Sequence, residues 1–207
     1  TDSAFGMLLA AAQELDRKPG AMAITDGRPW HALGASAELE LALVLAGLVA
    51  WLRRVEAAGI PLTGRATSLA ATLTCDADIF RTIARLRAFH QLSAGVLRAC
   101  GIEGGRVDLH AETITAHDAD PTRALLRGAT AAFAAGLGGA DSITQLPGPP
   151  IGGQSAAVAM RLPPNAQRIL QHEANLHHVG DPGAGSGIVE ALTASTAAAA
   201  WALFQRI

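Results

Sequence analysis

The chain has 207 residues, half of them hydrophobic and 16% charged, with a formal net charge of −2. This composition excludes a disordered chain, because it provides enough apolar surface for one domain with a sizeable core. It also disfavours a nucleic-acid-binding surface, since the basic residues are not clustered.

The first part of the chain is predicted to form a helix, a strand and a second helix. Residues 3–17 have helical character, and the apolar run 21–25 is typical of a short strand. Residues 26–36 are predicted to form a loop, and Ser36 is a plausible N-cap for a helix of about 20 residues. One apolar stripe runs along that helix, made by Leu41, Leu45, Leu48 and Leu52.

Three further strands are predicted, over residues 68–74, 106–114 and 141–147. After the first of them, Asp76 or Asp78 can cap a helix that runs to about Cys100. After the second, Asp120 followed by Pro121 is a clear start signal for another helix. The last two helices are predicted over 155–176, with a bend at Pro163–Pro164, and over 188–207.

This order of elements predicts an α/β fold in a single domain, residues 1–207. Strands that alternate with long helices form parallel βαβ units. Four parallel strands leave two sheet edges open, whereas a barrel needs about eight strands to close. We therefore expect the inner face to be covered by a second copy, by another chain or by an additional half of a barrel.

Four long segments, in one order, resemble the methylmalonyl-CoA mutase family. WHALGASAELELALVLAGLVAWLR resembles the family's HxAGAxxxQELAxxLAxGVxYLR region, and ATLTCDADIFRTIARLRAFHQLSAGVLRACG resembles its FxTIAKLRAxRxLWxxV strand–helix unit. PTRALLRGATAAFAAGLGGADSITQLP resembles the helix that leads into the last barrel strand. The final segment, from Asn165 to Ile207, resembles the family's NTQxILxEE…DPxGGS…AWxLF tail.

The resemblance implies the second half of the family's barrel, that is, a partial (half) TIM-type (β/α)8 barrel of about four parallel strands with long helices. The intact family enzymes are cobalamin-dependent acyl-CoA isomerases in which adenosylcobalamin supplies the radical. Heteromeric members pair a catalytic subunit with a related small subunit that binds no cofactor.

Several departures from the catalytic pattern favour the small, non-catalytic subunit. The sequence contains no cobalamin-binding domain, and the D-x-H of Asp108 and His110 has Thr113 where the cobalamin motif needs glycine. There is no tyrosine, although catalytic subunits place one near the corrin. Pro29 stands where the catalytic histidine is expected, and His31 lies two residues later, where small subunits tend to have one. We therefore expect no cofactor bound by this chain and no catalytic residue.

His110 and Glu112 are the first candidates for substrate contacts, because a spacing of two in a strand puts both side chains on one face. They match the histidine and glutamine of the family's RxHxQTSG segment. The other candidates are Arg127, which could meet a CoA phosphate, His31 and Gln145. A metal site at His117 is disfavoured, since no second cluster of ligands stands nearby in sequence.

Cellular placement and partners follow from the same features. The start of the chain has no basic signal-peptide region, and the longest apolar run, 41–52, is too short for a bilayer, which needs about 20 residues. Cys75 and Cys100 form no disulfide framework, so we expect reduced thiols in a cytoplasmic protein without membrane partners.

Three functions remain open. The chain is a structural subunit or fragment in a mutase-like assembly, a complementing half of an active radical acyl-CoA mutase, or an acyl-CoA-binding module.

Overall fold

A computed structural model describes residues 23–62, 68–114, 120–153 and 155–207, and the helix predicted over 3–17 lies outside these residues. Strands and helices alternate in the predicted order. The elements are β1 (Ala23–Asp26), α1 (Arg28–Ala32), α2 (Ala37–Ala57), β2 (Leu69–Cys75), α3 (Ile79–Ala99), β3 (Val107–Thr113), α4 (Pro121–Leu137), β4 (Ser142–Thr144), α5 (Ala156–Ala159), α6 (Leu162–His172) and α7 (Gly187–Phe204).

The four strands form one parallel sheet in the order β1-β2-β3-β4. Each strand pairs with the next one in sequence, and a helix connects them, which is the arrangement of consecutive units in a (β/α)8 barrel. The predicted fold class, α/β with a half barrel of parallel strands, is therefore confirmed.

Side-chain oxygens begin three of the long helices, α2, α3 and α4, at the predicted places. Ser36 Oγ accepts a hydrogen bond from the N–H of Leu39, and Asp78 Oδ1 accepts one from the N–H of Arg81. Asp120 Oδ1 accepts from the N–H of Thr122, and Pro121 occupies the first turn of α4. Such caps satisfy amide groups that have no partner within the helix, which explains why the sequence located these starts.

The core lies between one face of the sheet and the helices. The four leucines of the α2 stripe are all buried, as predicted, and they pack with buried side chains of β2, α3 and β3, including Leu73, Phe89 and Leu109. The strands contribute alternate residues to this core, so their other side chains point to the opposite face of the sheet. We call that opposite face the inner face, because it corresponds to the interior of a barrel.

Two local predictions were wrong. The segment after β1, predicted as a loop, contains the short helix α1; none of its five residues is buried, so no apolar periodicity marks it. The helix predicted over 155–176 is divided into α5 and α6, and the break lies at Met160 and Arg161 rather than at the prolines. Pro163 and Pro164 instead lie in the first turn of α6, where a missing N–H costs no helical hydrogen bond.

Candidate functional site

Polar side chains of the inner face meet near the carboxyl ends of the strands. Residues that are paired in register on neighbouring parallel strands point to the same face, so the register groups these side chains into two rows. The rows are Asp26, Thr72, His110 and Ser142, and then Thr74, Glu112 and Thr144. In (β/α)8 barrels this end of the strands is where functional side chains lie, so the two rows define the candidate site.

His110 and Glu112 lie on one face of β3, as their spacing predicted. Both are partly exposed, whereas Leu109, Ala111 and Thr113 between and beside them are buried. His110 Nδ1 is 2.7 Å from Ser142 Oγ on β4, and Glu112 accepts a hydrogen bond from Arg28. Each side chain therefore already has a polar partner from another part of the chain; their role in substrate binding stays a prediction.

Arg28 joins two carboxylates across the inner face. Its guanidinium donates to Asp26 through Nε and Nη2, at 2.9 and 2.7 Å, and to Glu112 Oε2 through Nη1, at 2.9 Å. The hydrogen bond from Arg28 holds the pKa of Asp26 below its usual value, and the two carboxylates raise the pKa of Arg28. We call these three residues the Arg28 cluster. It contains one positive and two negative groups, and both carboxylates contact the guanidinium.

A second ion pair is buried beneath the first turn of α2. Glu40, which is fully buried, accepts hydrogen bonds from the N–H of Thr74 at 2.9 Å and from Thr74 Oγ1 at 2.9 Å. Arg85 of α3 lies 3.3 Å from Glu40 and also donates to the carbonyl of Thr74. Arg85 Nε is buried and has no partner among the described residues. The pair fastens α2 and α3 to the end of β2.

His31 lies beside this buried pair. Its Nδ1 is 3.9 Å from Glu40 Oε2, which is within reach of an ion pair but too long for a hydrogen bond. The imidazole is about one-third exposed, so it lies at the edge of the polar network rather than inside it. The predicted candidate His31 is therefore near the site.

The other two predicted site residues lie elsewhere. Arg127 is exposed on α4, and no described contact joins it to the Arg28 cluster or to His110. Gln145, one residue beyond β4, is buried among side chains of α4, α5 and α6, such as Leu125 and Leu162. Strand alternation turns it to the helix side of the sheet, away from Glu112. Their predicted substrate contacts stay untested.

Cobalamin does not fit the D-x-H of this chain. His110 lies within β3, between Thr72 and Ser142 in register, and one of its ring nitrogens faces the Ser142 hydroxyl. Within the described ranges, no group of three or more His, Cys, Asp or Glu side chains could hold a metal ion; His117 lies outside those ranges.

The glycine-rich DPGAGSG segment, residues 181–187, is joined to α3 by an arginine. Arg87 of α3 donates to Asp181 and to Glu190, both at 2.8 Å, and to Thr193. These bonds join the segment and the first turns of α7 to α3.

Cys75 is unsuited to act as a nucleophile, because burial raises the pKa of its thiol to about 12.

One helix of the described chain, α7, is long and apolar enough to cross a membrane by length and composition, with a mean hydropathy of 1.4. These two criteria alone are weak support for a span, since helices of soluble proteins also meet them. The helix packs along α2 and α3.

The ion pairs of Arg28 and Arg85 are better suited to stabilising the fold than to transferring protons. Asp26, Glu112 and Glu40 each accept hydrogen bonds from an arginine, and charge-assisted bonds of this kind fix the positions of both partners. The analysis of motifs missed Arg28, Glu40 and Arg85. Glu40 carried a usable signal, because it stands one turn before Val44 and so falls on the buried side of α2.

Comparison with known proteins agrees with this architecture. The family model of methylmalonyl-CoA mutase matches residues 18–207. The chain is 38% identical over 97% of its length to the probable methylmalonyl-CoA mutase small subunit of Mycobacterium tuberculosis, of which it covers 34%. It is 39% identical over 93% of its length to the small subunit of Streptomyces virginiae, and 35% identical over 91% to that of Propionibacterium freudenreichii, covering 32% and 31% of them. It thus spans about a third of the length of these relatives. The chain belongs to the methylmalonyl-CoA mutase family.

Proposed function

We propose that this chain forms a barrel segment of a non-catalytic, small-subunit-type component of a cobalamin-dependent acyl-CoA isomerase. In that role it supports a catalytic mutase chain and performs no chemistry itself. We further propose that it acts in the cytoplasm and that its sheet edges are completed by other mutase polypeptide, either a partner chain or a further part of the same protein.

The Arg28 cluster carries this proposal. At the carboxyl end of the strands, Asp26 and Glu112 are both held by one guanidinium, whose three nitrogens donate to them at 2.7 to 2.9 Å. A group that is to take up or release a proton during turnover must be free to change its charge. Here such a change would remove one of the two ion pairs of Arg28, so the arrangement supports a structural role.

The names of the relatives and the position of His110 also support the non-catalytic role. The three relatives are small subunits by name, and His110 is unsuited to ligate cobalt because it lies inside the sheet. Binding of acyl-CoA by the assembly is proposed from the family alone.

The test uses the tagged chain, produced alone and together with a full catalytic mutase subunit from the same cells. We expect the catalytic subunit to copurify with the chain. We expect the chain alone to give no turnover of methylmalonyl-CoA with added adenosylcobalamin, and no cobalamin spectrum of histidine ligation.

Turnover by the chain alone would refute the non-catalytic role. A histidine-ligated spectrum that is lost in His110→Ala, but kept in the matched control His178→Ala on an exposed site, would refute our conclusion about His110. Failure of any mutase chain to copurify would refute the supporting role.

A further inference from the structure

The short helix α1 follows the carboxyl end of β1 and contacts β2 and α2 without being part of the core. None of its five residues is buried. Trp30 is 41% exposed and Leu33, just after the helix, is 80% exposed. Helices in folded proteins are usually held by an apolar face that packs on the core, so α1 must be held by other contacts.

Ionic contacts that cross the sheet are among them. Thr72 of β2 pairs with Asp26 on one side and with His110 on the other, and Glu112 lies two residues further along β3. Because neighbouring strands lie about 4.8 Å apart, β1 and β3 are separated by about 10 Å. Arg28, the first residue of α1, spans this gap and reaches Glu112 Oε2 at 2.9 Å. Its side chain therefore lies across the end of β2.

The glycines at the two ends of α1 differ in how closely they are packed. At Gly27, the N–H donates to the carbonyl of Thr72 at 2.8 Å, and a Cβ would lie within 3.0 Å of Glu40 and of the Thr72 carbonyl oxygen. At Gly34 the backbone has φ +87°, and a Cβ would meet nothing within 4 Å. One end is thus fixed against β2, and the other is followed by a glycine in open space.

We propose that α1 is a lid over the carboxyl end of the inner face, kept closed by the ion pairs of Arg28 with Asp26 and Glu112. Opening breaks those pairs and moves α1 between the two glycines that flank it, Gly27 and Gly34, while α2 and the sheet keep their places. The lid then controls access to the hydroxyl and carboxylate side chains that Arg28 covers. This inference rests on the geometry of α1 and does not depend on the proposed function.

Hydrogen–deuterium exchange of the intact chain, followed by mass spectrometry of peptides covering 27–35, tests the lid. Partly exposed ion pairs are screened by salt, and the Debye length falls to about 3 Å at about 1 M. We expect exchange in this peptide to rise by about fivefold to tenfold in Arg28→Gln or in high salt, from the loss of two such pairs. Peptides of α2 and β2 should keep their exchange rates.

Two variants act as matched controls. Arg81→Gln removes an exposed arginine of α3 whose Nε lies 3.6 Å from Asp78 Oδ2. This variant should leave the exchange of the 27–35 peptide unchanged. Arg28→Lys keeps the charge but loses the fork, so its exchange should lie between that of the parent and that of Arg28→Gln. Unchanged exchange of 27–35 in Arg28→Gln, or an equal rise in α2 and β2, would overturn the proposal.

Discussion

The buried pair of Glu40 and Arg85 is the most consequential contact at the scale of single residues. Their side chains are 0% and 4% exposed. Two charges removed from water lose several kcal/mol of hydration each, which their attraction repays only when the remaining hydrogen bonds are made. Thr74 supplies most of these bonds, but Arg85 Nε has no partner in the described chain. Removing one partner of the pair should therefore lower the stability of the fold more than removing both charges does.

Arg85→Leu should destabilise the fold strongly, because it leaves the carboxylate of Glu40 buried without its counter-charge. We expect the free energy of unfolding to fall by about 3–5 kcal/mol, measured by urea denaturation. Arg81→Gln, on the same helix but 81% exposed, should change it by less than about 0.5 kcal/mol.

The double variant Glu40→Leu/Arg85→Leu separates the ion pair from ordinary packing. Because both charges are then absent, it should be more stable than Arg85→Leu alone. A double variant that is as unstable as the sum of the two single variants would show that the charges do not act as a pair.

The sequence predicted the strand residues of the site better than the residues that bind them. His110 and Glu112 share a face because strand alternation has a period of two, which the sequence displays directly. Arg28 reaches Glu112 from 84 positions away, and only the strand register brings the two together. Arg127 and Gln145 were chosen by residue type, and the structure places both away from the Arg28 cluster.

At the scale of elements, local chemistry explains which predictions succeeded. The three capped helices were found because Ser36, Asp78 and Asp120 bond to nearby amide groups, which makes their signal local. The helix α1 has no buried side chain and so left no periodic pattern. The break between α5 and α6 was misplaced, because proline is compatible with a first helical turn as well as with a bend.

The helix α7 is attached to α3 through Arg87. Its guanidinium donates to Glu190 in the first turns of α7 and to Asp181 in the preceding loop, both at 2.8 Å. The hydrogen bond from Arg87 lowers the pKa of Glu190, and the two carboxylates raise the pKa of Arg87. The ion pair between Arg87 and α7 therefore depends on Glu190 being ionised.

The stability difference between the parent and Glu190→Gln should depend on pH with a definite sign. A carboxyl group with a lowered pKa in the folded state stabilises the fold above its unfolded pKa of about 4.3, and this contribution is lost as pH falls through the folded value. The parent should thus be more stable than the variant at neutral pH, and the two should converge below about pH 4.

Urea denaturation of both proteins at a series of pH values measures this convergence. Glu103→Gln is the matched control, because Glu103 is exposed in the turn before β3; its difference from the parent should not follow the same course. A constant difference between the parent and Glu190→Gln across the acid range would contradict the assigned role of Arg87.

At the scale of the whole molecule, the described sheet has two edge strands, β1 and β4, and one face without a helical layer. The core side is filled by large apolar residues, whereas the inner face carries hydroxyls and charges together with Ile24, which is 66% exposed. Unpaired edges of a parallel sheet readily accept further strands. A half barrel in this family should therefore associate with other polypeptide through these edges and this face.

The purified chain should sediment as an oligomer, or else bind a hydrophobic dye strongly, because the described helices other than α1 leave its inner face uncovered. Ile24→Thr keeps a β-branched residue in β1 while removing apolar surface, so it should weaken the association or the dye signal. Leu126→Gln, which removes an exposed leucine from the outside of α4, should have a smaller effect. A monomer that binds no dye would mean that the inner face needs no cover, and the half-barrel interpretation of this sheet would then be wrong.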